Sequence, residues 1–401
     1  MTVEEFIECG KRMRDDLSNE GHWTKECAKQ FGKTLRVMKD AQKLWRLRDR
    51  DTEASAVYVL GELTHTRQEI PRYLPERRRI AQVSCGGNHV LILSTDGEVF
   101  GAGSNSYWQM GIDHNGPMEN IFLPPVKYVC AGYSMSIFAT RDLGLWGCGC
   151  SENGRLCRAG PDDGIQPYPA MISPLDFEKV YAGSMHAVGL TDDHNVYTWG
   201  CYKYVGFETT EDVVEPTRLM GDIYECSIGP GGYHTLAVTL DGTEVRAWGH
   251  NRVGQCGMNP ELMNTYPYKI KPHVMSFDGG VRVSRVFCGW GHSAILLSDG
   301  SVLTAGRNDM GQLGRKTVLK DRERGFYYDF KFQHADNDCI DVSCGGQHTV
   351  LLKSSGKPLM MGLDLTNTEH VFQSITPTLA NSVPISKTAD SGAMCTVFMI
   401  G

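Results

Sequence analysis

A glycine followed three residues on by histidine, with a run of apolar residues after it, returns five times along the chain, and this recurrence constrains the fold more than any other feature. The copies are Cys85-Gly86-Gly87-Asn88-His89, Ala182-Gly183-Ser184-Met185-His186, Gly231-Gly232-Tyr233-His234, Cys288-Gly289-Trp290-Gly291-His292 and Cys344-Gly345-Gly346-Gln347-His348. Degenerate copies at Ala131-Gly132-Tyr133-Ser134-Met135 and Ser391-Gly392-Ala393-Met394 bring the count to seven, with the histidine position at 89, 135, 186, 234, 292, 348 and 394. A second series is out of phase with the first. Gly61, Gly103, Gly149, Gly200, Gly249, Gly306 and Gly362 each close an apolar run, and the clearest copies open Gly-x-Asn-x-x-Gly-Gln-x-Gly turns, at Gly249–Gly257 and Gly306–Gly314. Tight reversals of this kind need the positive φ that glycine adopts without strain.

A unit of about 50 residues holding three or four short apolar runs is the size of one four-stranded propeller blade. In the first unit Gln82–Ser84 and Val90–Ser94 read as strands, Thr95-Asp96-Gly97 as a hairpin turn and Glu98–Gly101 as the next strand. Gly61 precedes every tetrad, and the last tetrad has no anchor after it. Placing Ala393–Ile400 beside Ala56–Leu60 therefore completes a last blade from both chain ends and leaves the ring without a free edge. The expected architecture is an all-β seven-bladed propeller over 54–401 with an N-terminal helical extension over 1–53.

Composition sets the outer bounds. Glycine, 45 of 401 residues, is in excess while proline, 17, is not, and 41% apolar against 22% charged residues supplies a core, which excludes disorder. No apolar run reaches the length of a membrane span, and Glu4, Glu5 and Glu8 stand where a signal peptide would be basic. Fourteen cysteines with no export signal read as reduced thiols, so cytoplasm, with a cytoskeletal location as one form of it, is the expected compartment and nucleus the second. The formal charge of −7 divides unevenly, with +1 on 1–53 and −8 on 54–401, and an acidic body argues against nucleic acid as the partner.

The tetrads joined to Gly-Gln-x-Gly turns resemble the regulator of chromosome condensation family over roughly 54–401. That resemblance implies a seven-bladed propeller. Its best-known activity is nucleotide exchange on the small GTPase Ran, through acidic and histidine side chains of successive tetrads, with aspartates in the second and third and a wedge-like insertion. Here the second tetrad is Gly132-Tyr133-Ser134-Met135 and the third Gly183-Ser184-Met185-His186, neither with a carboxylate, and the Gly149 turn lacks wedge residues. No basic tail precedes the ring to dock on chromatin. The expected function is a non-enzymatic protein interaction scaffold docked into a multi-subunit assembly or on a cytoskeletal surface, and the alternative is a guanine-nucleotide exchange factor for a small GTPase.

Other chemistry finds little footing. Cys27–Thr34 ends like a phosphate-binding loop but begins with Cys27 where glycine is required, inside a helical pattern. Cys148-Gly149-Cys150 lacks a zinc pair's spacing, and Cys85, Cys288 and Cys344 recur at one strand position, which reads as buried thiols. The tetrad histidines fall in different blades, cannot meet one ion, and read as hydrogen-bonders of the turns. No catalytic residue, cofactor site or metal site is expected.

Two elements are candidates for partner binding. Thr2-Val3-Glu4-Glu5 has capping-box spacing and predicts a helix to about Leu17, followed by a second over about Thr24–Arg48. The second carries an apolar stripe from Trp23 through Cys27, Phe31, Leu35, Met38, Ala41, Leu44 and Trp45, with Lys25, Lys29, Lys33, Arg36, Lys43 and Arg46 on the other side. Either the stripe packs on the propeller rim, or the basic side docks an acidic partner. The longest repeats add loops near Met258–Gly280 and Arg315–Asp338; the second holds Arg322, Arg324, Phe326, Tyr327 and Tyr328, residue types that suit an interface centre and equally a cluster covering a blade edge.

Overall fold

The computed structural model describes residues 79–363, apart from 114–115, 158–163, 263–267, 278–279, 318 and 321–324, together with the segments 37–38, 44–46, 56–61, 70–71, 378–379, 388–392 and 395–400. Each repeat folds back and forth into one antiparallel sheet in which the first strand is innermost. Blade 1 runs Ile80–Cys85, His89–Ser94, Val99–Gly103 and Gly116–Ile121, and blade 2 Val126–Ala131, Met135–Thr140, Leu145–Cys150 and Ile165–Ser173. Blades 3 and 4 begin at Lys179–Ala182 and Ile223–Ile228. Blade 5 begins at Val283–Cys288 and adds a fifth strand, Leu319–Lys320, outside Tyr327–Asp336; blade 6 begins at Cys339–Cys344 and ends at Thr378–Leu379.

The expected seven-bladed ring with a helical extension is corrected. Six blades, not seven, are each cut from one continuous repeat. The chain ends instead make a composite four-stranded sheet in the order Leu44–Arg46, Ala56–Gly61, Cys395–Ile400, Thr388–Ser391, which lies between blades 6 and 1 and carries no tetrad histidine. Its register runs from Ala56↔Ile400 to Gly61↔Cys395, so the residue facing the glycine anchor is Cys395 and not Met394 as the spacing indicated. No α-helix occurs among the described residues, only the single 3-10 turns Glu152–Gly154 and Pro260–Leu262. Where the second helix was expected, Val37–Met38 pairs with Ile70–Pro71, and Leu44–Arg46 pairs with Ala56–Tyr58. A strand edge that can take up backbone hydrogen bonds has overridden a spacing of three and four. The rest of the expected helices, with Lys25, Lys29, Lys33, Arg36 and Lys43, lies outside the described residues, as does the side chain of Arg46.

The core lies between blades. Met135, Ile137, Leu145 and Leu156 of blade 2 pack on Phe177, Val180, Ala187 and Trp199 of blade 3, and Leu236, Val245 and Cys256 of blade 4 on Val286, Cys288 and Ile295 of blade 5. A sheet that is apolar on both faces cannot stand alone, so each blade depends on its neighbours.

Register explains why two glycine series mark the sequence. In every blade the tetrad's last position sits across from the strand-closing glycine: His89↔Gly103, Met135↔Gly149, His186↔Gly200, His234↔Gly249, His292↔Gly306, His348↔Gly362. Gly306 has φ 107°, and a Cβ there would press on the Gly291 carbonyl oxygen at 2.5 Å. Gly306→Ala is expected to lower stability by about 1–3 kcal/mol, read as a fall in the urea midpoint at unchanged slope; an unchanged midpoint contradicts the register argument.

Candidate partner-binding face

The tetrad histidines are not on the surface. His89, His186, His234, His292 and His348 have no solvent exposure, and each reaches across a joint to a hydroxyl of the next sheet: Ser136 at 2.9 Å, Thr235 at 2.8 Å, Ser293 at 2.8 Å, Thr349 at 2.9 Å and Thr396 at 2.9 Å. At three joints the proton can be placed. Ser136 Oγ donates to the Gln109 carbonyl at 2.5 Å, Ser293 Oγ to Gln255 at 2.8 Å and Thr349 Oγ1 to Gln312 at 2.8 Å. A carbonyl only accepts, so these hydroxyls accept from Nε2–H, and His89, His234 and His292 are neutral Nε2–H tautomers. The glutamines belong to the Gly-Gln turns, where each side chain also accepts a backbone N–H, as Gln312 does from Met310 at 3.0 Å. One blade thus grips its neighbour's hydroxyl with both of its sequence motifs. The tetrad glycine is required for packing, since any Cβ at Gly86, Gly289 or Gly345 would strike the histidine ring.

Where the histidine is missing, the hydroxyl is missing too. Met135 meets the third blade, whose matching residue is Ala187, and both are fully buried in one cluster. Cys395, at the histidine position of the chain-end sheet, matches Val90. The joint of blades 2 and 3 also replaces the turn glutamine by Arg155, 4% exposed, which donates to Ser184 O at 2.8 Å while its own carbonyl accepts from Trp199 Nε1 at 3.0 Å.

Burial pushes His89, His186 and His348 down to about 3 and His292 to about 4, and His234 well below its ordinary value of 6.5. The thiols move the other way: burial raises Cys288 and Cys130 to about 12. Among the described residues no three His, Cys, Asp or Glu side chains are placed to hold a metal ion, and no helix is long and apolar enough to cross a membrane.

Three of the six blade tetrads carry an aromatic side chain at a variable position, Tyr133, Tyr233 and Trp290, where the others carry Asn88, Met185 and Gln347. Tyr133 of blade 2, 38% exposed, and Trp290 of blade 5 meet edge to face across the ring, centroids 6.2 Å apart. The blade 4 tetrad loop is longer, seven positions from Ile228 to Thr235 against five from Cys85 to Val90, and the added Pro230 accepts Trp290 Nε1–H at 2.6 Å. Tyr204 and Tyr233 pack at 5.3 Å, and Tyr107 is exposed in the first Gly-Asn turn. The predicted loop aromatics divide. Phe326 lies under the Arg307 guanidinium, 3.8 Å from its centroid; Tyr327 is 44% exposed with Lys320 over its ring; Tyr328 is buried in the edge pairing with Leu319 and Arg307. Arg322 and Arg324 lie outside the described residues. Tyr133 and Trp290 were readable only as variable tetrad positions, because nothing in their spacing shows that blades 2 and 5 face each other.

A family model, the RCC1-like domain, matches residues 56–396, and the chain belongs to that family. It is 30% identical to the ultraviolet-B receptor UVR8 of Arabidopsis thaliana over 59% of this chain and 55% of that protein. It is 25% identical to the secretion-regulating guanine nucleotide exchange factor of Mus musculus over 68% of this chain and 64% of that one. The chain thus spans less than two thirds of each relative. Yeast RCC1 (Prp20), seen bound to Kap60, has the same fold, with a TM-score of 0.73 at 19% identity over 93% of this chain and 94% of that one.

Two outcomes follow from the joints. His292→Met and Thr349→Ala are each expected to cost about 1–3 kcal/mol, and the double variant less than their sum by about 1 kcal/mol, because the pair Met135/Ala187 already stands at another joint; strict additivity in urea unfolding would deny the coupling. The depressed histidines take up protons on unfolding, so their stabilisation is complete above pH 6.5 and is lost as pH falls toward their folded values of about 3–4. His89→Gln is expected to lower by about one the protons bound on unfolding near pH 5; an unchanged pH slope of stability contradicts the neutral assignment.

Proposed function

We propose that this protein is a protein-recognition propeller without substrate chemistry of its own, that its tetrad face is the engaged surface, and that the first partner class to test is a small GTPase whose nucleotide exchange it promotes. The observation that carries the reading is the aromatic cluster on the tetrad face: Tyr133, Tyr233 and Trp290 stand on the tetrad loops and Tyr107 on the first Gly-Asn turn, while every tetrad histidine is consumed in holding blades together. Large aromatics on a preorganised surface are the side chains that dominate protein interfaces. The exchange factor named among the relatives supports the choice of partner class. The cytoplasm, where a reduced-thiol protein keeps its buried cysteines, is the proposed compartment.

The second reading, a scaffold within a larger assembly, is favoured by the tetrads themselves. Tyr133, Ser134, Ser184 and Met185 occupy the variable positions of the second and third, so no carboxylate there meets a partner.

Release of fluorescent GDP from a panel of purified small GTPases, with the full chain added, separates the two. The exchange reading expects at least tenfold acceleration for one GTPase, and Tyr133→Ala is expected to weaken it by about tenfold or more, since truncating a central interface aromatic costs about 2 kcal/mol. Silence across the panel removes exchange and leaves the scaffold.

A further inference from the structure

One joint of the ring is built with an ionisable group where the matching joints use neutral ones. In the first strands, the residue just before the strand's last paired residue takes the backbone N–H of the next blade: Ser84 Oγ accepts from Ala131 at 3.0 Å, Cys130 Sγ from Ala182 at 3.1 Å and Ser227 Oγ from Cys288 at 3.0 Å. At the joint between the chain-end sheet and blade 1 the same register position is Asp390, because Ser391 faces Thr396 as Cys85 faces Val90. Asp390 Oδ2 accepts from the Cys85 N–H at 2.7 Å, and the Cys85 thiol donates to the Asp390 carbonyl at 3.3 Å. These two bonds tie the last residues of the chain to the first blade.

The charges around Asp390 do not balance. On blade 6 the buried Asp341 lies beside it, and the blade 5 guanidinium of Arg285 is already shared by Asp341 at 2.6 Å and Glu225 at 3.3 Å. Lys179 also acts on Glu225, but the cation that acts on Asp390 is Arg285, which the other two carboxylates already hold. Tyr128 and Cys130 of blade 2 and the thiol of Cys85 of blade 1 are the other titratable groups facing Asp390, and His348 reaches its sheet only through Thr396. None of these supplies a second positive charge, so an ionised Asp390 is both partly desolvated and repelled by Asp341.

We propose that Asp390 makes the closing joint of the ring a proton-operated clasp, tight while its carboxyl is protonated and looser once it ionises, so that the two chain ends part from the first blade more readily as pH rises through neutrality. Burial first, and then Asp341, raise Asp390 from its ordinary 3.8 to about 7, against the pull of the Cys85 and Ser391 N–H groups and of Arg285. For an acid raised in the closed state the sign is opposite to that of the histidines: stabilisation is present at low pH and is lost between 3.8 and 7. Opening therefore increases about tenfold from pH 6 to pH 8.

Hydrogen exchange of the full chain, followed by mass spectrometry at pH 6 and pH 8 and corrected for intrinsic rates, reads this directly. Peptides covering 56–61 and 388–400 are expected to lose about tenfold in protection at the higher pH, relative to the inner strand His234–Thr239 as internal control. Asp390→Asn keeps the acceptor without the charge, and Asp390→Ser installs the side chain of the joints at Ser84 and Ser227; both are expected to make protection of these peptides independent of pH. Should the asparagine variant not fold, the serine variant carries the comparison. Equal protection of the native end strands at both pH values, or a neutral variant that keeps the native dependence, overturns the proposal.

Discussion

The structure rests on a hydrogen bond between a neutral imidazole and a hydroxyl, repeated from sheet to sheet. Each blade is apolar on both faces and gains its core only by lying against the next, so what sets the angle between neighbours sets the whole ring. Hydrophobic contact is non-directional. The link from histidine to hydroxyl to glutamine carbonyl supplies direction, and it does so in a site dry enough that an unpaired partner costs more than the bond itself contributes. The tetrad glycine that admits the ring, the anchor glycine across the strand, and the Gly-Gln turn that offers its carbonyl are all parts of this one device.

Much of this was legible as spacing and little of it as role. The repeat, its glycine anchors and the family followed from positions alone, because each blade repeats the same demand on the same residues. That the histidines are structural was readable in outline, since residues in different blades cannot converge. Their hydroxyl partners were not, because Ser136 and Thr349 look ordinary until register places them beside His89 and His292. The helix over 24–48 failed for a physical reason: a spacing of three and four is compatible with strands too short to show alternation, and open sheet edges bind them. The step from Met394 to Cys395 failed because a degenerate tetrad has no histidine to fix its phase.

The same logic separates binding from architecture. With five histidines committed to the joints, the face presents Tyr107, Tyr133, Tyr233 and Trp290 beside Asn88, Met185 and Gln347, and Tyr133 meets Trp290 across the ring. Two joints depart from the common pattern, one through Met135, Ala187 and Arg155, the other through Asp390. The chain-end joint is also where protonation acts with the opposite sign from the rest, so acid loosens the histidine links while it favours the closing contact.

The central claim is the protonation state of the latch histidines, and nitrogen-15 chemical shifts of the labelled imidazole rings measure it. Five of the 13 histidines are predicted to stay uncharged down to pH 5, and the rings of His89, His234 and His292 to carry their proton on Nε2. Five rings that titrate near 6.5, or that hold the proton on Nδ1, would contradict the account of how the blades are joined.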